Sequence, residues 1–119
     1  MSRSVDVVLF CVYTVASVAG LIIIKAWLAP AQIAWQAASF LGAPTFIVGI
    51  GSILYIASFL IWIVILGRND LSVAYPIAIG LTLVFSTLAA RIVIGEVVSP
   101  TRCLGVLVIF FGIWLVTRT

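Results

Sequence analysis

Lys25 and Arg91 are the residues of this sequence best placed to do chemistry, because each follows a long uncharged run. Nothing is charged between Asp6 and Lys25, or between Asp70 and Arg91. A cation in or near hydrocarbon is costly unless it is paired or reaches water. Lys25 therefore either snorkels to the headgroups or faces a cavity that awaits an anion. Tyr13 and Ser17 precede it on the same run, Ser17 four residues after Tyr13 and Lys25 eight after Ser17, which gives that helix a polar face. Ser17 and Gly20 keep this face thin and approachable. Arg91 falls in the last turn of its run, where a cation also suits the helix C-terminus. Glu96, in the loop that follows, is expected to form an ion pair with Arg91 or Arg102.

An absence is as informative. No Asp or Glu lies in the middle of any apolar run. A proton-coupled exporter of cations needs a buried carboxylate that holds either a proton or its cargo. The charges left at membrane depth suit an anion such as a lipid phosphate. The chain has no histidine, which removes it as base or metal ligand. There is no nucleophile–base pair, metal cluster or phosphate-cradling glycine loop. An enzyme acting alone is not expected, nor is a metal or other cofactor.

These side chains must be positioned by elements buried in lipid. Of the 119 residues, 66% are hydrophobic and 8% charged, with a mean hydropathy of +1.44. A soluble domain is roughly half apolar and a quarter charged. The net charge of +3 comes from six Lys/Arg and three Asp/Glu, too few for a stripe that tracks nucleic acid. Cys11 and Cys103 lie in or beside apolar runs and read as reduced packing residues. A bilayer core about 30 Å thick takes roughly 20 apolar residues per helix. The charges then mark spans over 7–24, 43–66, 71–94 and 103–116. The fold class is all-α: one four-helix transmembrane bundle covering 1–119, with both termini on one side.

The first span also has features of a signal peptide, with Arg3 ahead of it and Ala-Ser-Val-Ala at 16–19. The apolar run continues through Ile22-Ile23-Ile24, and Asp6 sits where the greasy core should begin, so cleavage is not expected. The connection over 29–42 reads either as a short helix lying on the bilayer, opened by Pro30, or as an interfacial loop. Trp27 and Trp35 suit that interface. Pro76 removes a hydrogen bond to Ser72 and is expected to kink the third span, turning Tyr75 toward the bundle. Ser99-Pro100 opens the fourth. Three basic residues fall on each side, Arg3, Arg68 and Arg118 against Lys25, Arg91 and Arg102, so orientation is weakly specified.

Helices in lipid associate through small residues and interhelical hydrogen bonds. Gly105 and Gly112, with Ile109 between them, form a flat seam on the last span. Spacing leaves open whether the seam packs within one chain or between two. Thr82, Ser86, Ala89 and Ala90 read as a packing side of the third span.

Several elements then fall in order along nearly the whole chain. They are Ser17-Val18-Ala19-Gly20 with Lys25, Val73-Ala74-Tyr75-Pro76, Thr87-Leu88-Ala89-Ala90, Gly95-Glu96-Val97-Val98-Ser99-Pro100, and Gly105 with Gly112. This order resembles the small multidrug resistance branch of the drug/metabolite transporter superfamily. Within that branch it is most similar to the small subunits of aminoarabinose–undecaprenyl phosphate flippases. The resemblance implies a multi-pass protein of the bacterial inner membrane that pairs as a homodimer or with a sister subunit. It also implies movement of a sugar carried on undecaprenyl phosphate between leaflets. The family's lysine maps to Lys25, its Ala-Tyr-Pro tyrosine to Tyr75 and its loop glutamate to Glu96. Drug exporters of the family carry a glutamate where this chain has Ser17. The aminoarabinose subunits are polar where this chain has Leu21-Ile22-Ile23-Ile24.

The expectation is a lipid-linked sugar translocase or one subunit of it, with phosphate at Lys25 and Arg91 and the sugar at Ser17, Tyr13 and Tyr75. A dimer through Gly105, Ile109 and Gly112 would enclose the cargo. An exporter of small organic cations and a non-transporting subunit of a membrane glycosyltransferase are the alternatives.

Overall fold

The structure is a computed structural model that describes residues 2–118, with side chains over 4–118. Arg3, counted above on the terminal side, has its side chain outside that range. The described residues form helices α1 (Ser2–Gln36), α2 (Ala43–Arg68), α3 (Leu71–Ala89) and α4 (Pro100–Arg118), and no strand. α3 continues into one π turn over Ala90–Ile94. All four helices are long and apolar enough to cross a membrane. The fold class is therefore the all-α one expected, with helix boundaries close to the expected spans except in α1.

α1 is one unbroken helix of 35 residues that runs through Lys25 and Pro30. Neither a separate surface helix nor a loop begins at residue 29. Proline deletes one backbone donor, a loss that membrane helices tolerate when neighbours support the backbone. Here Ala31 is completely buried, and the Trp35 indole N–H donates to Thr45 Oγ1 of α2 at 2.9 Å. The helix stops where Ala38 adopts a left-handed φ of 60°. Ser39 N–H then bonds Ala34 O at 2.8 Å and Ala38 N–H bonds Trp35 O at 2.9 Å, which satisfies the last carbonyls.

α1 and α2 form an antiparallel pair joined at successive levels. Arg68 donates to Asp6 at 2.8 Å at one end. Tyr13 and Trp62 place their ring centroids 5.6 Å apart. The backbones nearly touch where Gly20 meets Gly51: a Cβ on Gly20 would lie 2.7 Å from Gly51 O. The thin face read around Ser17 and Gly20 is this crossing. α3 leans on α1 with Ala74, Ala78 and Gly80 buried, and among the described helices α4 packs on α3. Its Ile113 fills the hollow over Gly80, where a Cβ would meet Ile113 Cδ1 at 2.6 Å. No described residue of α4 is buried. The helix starts earlier than the span read from the charges because Ser99 caps it, its Oγ accepting from Arg102 N–H at 3.2 Å.

Cys11 and Cys103 are free thiols, but both are exposed on the chain's surface and not packed inside it. Nothing within 4 Å faces Gly105 or Gly112, so the seam on α4 is not used for packing within the chain.

Candidate functional site

Lys25 stands on one wall of a groove of about 530 Å³. α1 supplies that wall through Leu21, Ile22 and Lys25, and α4 supplies the opposite one through Arg102, Gly105 and Ile109. α3 forms the floor with Ser86, Thr87 and Ala90, and Glu96 and Val98 of the loop close the end. At 1.5 Å per residue, Lys25 lies about 28 Å along α1 from Asp6. With the Asp6–Arg68 pair at one face of a hydrocarbon layer about 30 Å thick, Lys25 sits at the other boundary. Arg91 lies about 31 Å along its helix from Asp70, at the same depth. Arg102 begins α4 there too. Three cations and one carboxylate therefore gather at this end.

The groove contains more donors than carboxylate can neutralise. The expected ion pair of Glu96 with Arg102 or Arg91 is not formed. Among the described residues the ion pair within 4.0 Å is Arg68–Asp6, at the opposite end. Glu96 and Arg102 share the groove without closing on one another, because the loop sets Glu96 at the end cap and α4 carries Arg102 along the wall. The groove hydroxyls are already donating. Thr87 Oγ1 bonds Leu83 O at 2.7 Å, and Ser86 Oγ bonds the same carbonyl at 3.2 Å. Toward a ligand they remain acceptors, which leaves Lys25 and Arg102 as the donors that suit an anion.

The other expected site residues lie elsewhere. Arg91 lines a neighbouring groove with Pro100 and Cys103, bordered from the first by Thr87 and Val98, which line both. The π turn adds a residue to the last turn of the helix and so changes which way Arg91 points. Ser17 is 3% exposed, its hydroxyl donates to Thr14 O at 3.2 Å, and it does not line the Lys25 groove. Tyr13 and Tyr75 flank Trp62, with Tyr75 at 6.0 Å from its ring. Tyr75 stays 53% exposed, only partly turned toward the bundle. This aromatic row is about 18 Å along α1 from Lys25. The structure thus brings together Lys25, Glu96, Arg102, Gly105 and Ile109, and sets Tyr13, Tyr75, Ser17, Arg91 and Gly112 apart from them.

Sequence reasoning missed Trp62 at the centre of the aromatic row; its place near the end of the second apolar run, six residues before Arg68, on the side an interface-preferring tryptophan would take, was the available signal. It also read Ser86 as packing alone, whereas Ser86 lines the cationic groove.

Comparison with known proteins points the same way. The chain is 39% identical over 59 residues to the probable 4-amino-4-deoxy-L-arabinose-phosphoundecaprenol flippase subunits ArnE of Pseudomonas savastanoi pv. phaseolicola and Pseudomonas syringae pv. syringae. The match takes in 50% of this chain and 51% and 54% of those proteins, so the chain spans about half the length of the curated relatives it matches. No family model and no solved structure matches it. By its four membrane-spanning helices and this likeness, the chain is a multi-pass membrane protein similar to small flippase subunits.

Proposed function

We propose that the chain is a subunit of a flippase that moves a polyprenyl (undecaprenyl) phosphate-linked sugar across the bacterial inner membrane. The observation that carries this reading is the groove in which Lys25 and Arg102 stand on opposite walls at the membrane boundary. A phosphate at that depth meets two cations in a setting drier than water, where charge-assisted hydrogen bonds are strong. Arg91, in the adjoining groove, is a second station for the anion. Tyr13 and Tyr75, beside Trp62 and about 18 Å along α1 from Lys25, meet the sugar only once the lipid has crossed to that end of the bundle. Ser17 serves the fold through its bond to the helix backbone. The Gly105–Ile109–Gly112 seam is the surface through which a second copy or a sister subunit closes the open groove.

The test is binding of undecaprenyl phosphate to the purified protein, read by native mass spectrometry with its dimer state. Lys25→Met is expected to weaken binding by tens-fold, the worth of one charge-assisted hydrogen bond, while the helical spectrum is unchanged. Equal binding by the folded variant would remove Lys25 from the site.

One observation favours a second reading, export of an organic cation: Glu96 lines the same groove. Two cations against one carboxylate make the groove positive, which disfavours such a cargo. A transport current with a guanidinium compound that is lost in Glu96→Gln would reverse that ranking.

A further inference from the structure

We infer that the cleft between α1 and α3 seats the first isoprene units of the same lipid whose phosphate rests at Lys25, an inference that rests on the flippase reading above. The cleft holds about 510 Å³. Its α1 wall runs from Cys11 through Val15 to Ile22, and its α3 wall carries Phe85, Leu88 and Ala89. From Cys11 to Ile22 it extends about 16 Å along the helix axis. The cleft offers no free hydroxyl proton to a polar occupant. Thr14 lines it, but its Oγ1 donates to Phe10 O at 2.7 Å. A hydrocarbon therefore loses nothing by lying there.

The mouth of the cleft decides which hydrocarbon. Ile22 lines both the cleft and the Lys25 groove. Leu88 lines both the cleft and the Arg91 groove. The dry channel thus opens beside two cationic sites at the membrane boundary, an arrangement complementary to an anionic head with a single long chain. A diacyl lipid would leave its second chain outside, in the bilayer, and hold its head by two chains and not one. A methyl-branched chain also suits walls made of β-branched and aromatic side chains. The phosphate would sit with Lys25 while the first isoprene units run down toward Cys11.

Cys11 is a built-in reporter at the foot of the cleft. The full chain carrying Cys103→Ser, in phosphatidylcholine nanodiscs, leaves Cys11 as the remaining cysteine, and its alkylation by N-ethylmaleimide is timed with and without undecaprenyl phosphate. Bound lipid, counted by native mass spectrometry on the same sample, is expected to slow alkylation several-fold. Phosphatidylglycerol, with equal head charge, is expected to leave it unchanged. Val15→Phe, which narrows the cleft about 15 Å along α1 from Lys25, should weaken undecaprenyl phosphate about tenfold, the worth of a few buried methylenes, and should not weaken geranyl phosphate, whose two isoprene units end short of it. Undecaprenyl phosphate that binds without slowing Cys11 would overturn the cleft while the flippase reading stands. No binding of any polyprenyl phosphate would overturn both. Equal protection by phosphatidylglycerol would make the cleft an ordinary lipid site. Protection that needs no added lipid and disappears when the protein is diluted to monomer would assign the cleft to a second copy.

Discussion

The glycines of the α1–α2 crossing and those of α4 are the same residue type with opposite fates. Gly20 and Gly51 bring two backbones to near contact. Gly105 and Gly112 face open space. Small residues let helices approach in lipid, where no hydrophobic effect drives them together. The first pair has spent that opportunity inside the chain and holds the long hairpin in register. The second leaves a flat surface on a helix that, among the described helices, packs against α3. One region therefore sets the fold, and the other is available to a partner. The Lys25 groove lies between them, with α1 as its firm wall and α4 as its loosely held one.

A single substitution placed at three glycines sharpens this contrast. Gly20→Ala should be the most damaging, costing about 3 kcal/mol, because its new Cβ meets backbone that cannot rotate away. Thermal unfolding in detergent measures it, and a loss no larger than at the other glycines would break the comparison. Trp35→Phe comes next at about 1 kcal/mol, the net worth of the bond to Thr45. If the melting temperature is unchanged, the α1 extension is not tied to α2 as described. Gly80→Ala should cost less than about 1 kcal/mol, since its neighbour is the flexible tip of Ile113, which can swing aside. Gly112→Ala should leave unfolding within about 0.5 kcal/mol of the parent. Its mass in native spectrometry is the informative reading: a shift from dimer to monomer places a partner on the seam, whereas an unchanged dimer puts the partner surface elsewhere.

Much of the fold was legible because lipid enforces it. Charges can stop a span but rarely sit inside one, so Arg68 and Asp70 marked the α2–α3 turn within two residues. α1 was not legible in the same way. Pro30 and an uncharged connection look like a break, and the left-handed residue that ends the helix is Ala38, not a glycine. For the site, Lys25 was legible as a cation beyond a long apolar run. Its neighbours were not. Ser17 shares α1 with Lys25, but α2 covers the side on which it sits and turns it into a buried helix-packing hydroxyl. Arg91 matches Lys25 in depth, but the π turn assigns it to the next groove.

Composition and charge spacing are enough to establish that the chain is helical, that four runs can cross a bilayer, and that its membrane-depth charges are cations with no Asp or Glu in the middle of an apolar run. Those properties depend on composition and on distance along one chain, which lipid thickness converts directly into structure. Helix packing alone sets Lys25 across from Arg102 and not Arg91, leaves the expected Glu96 ion pair open, puts Tyr13 and Tyr75 about 18 Å from Lys25, and leaves the α4 glycines uncovered. Each of those is set by how one helix is rotated against another. Rotation is chosen by contacts such as Gly20 on Gly51 and Ile113 over Gly80, which no spacing within a single helix contains.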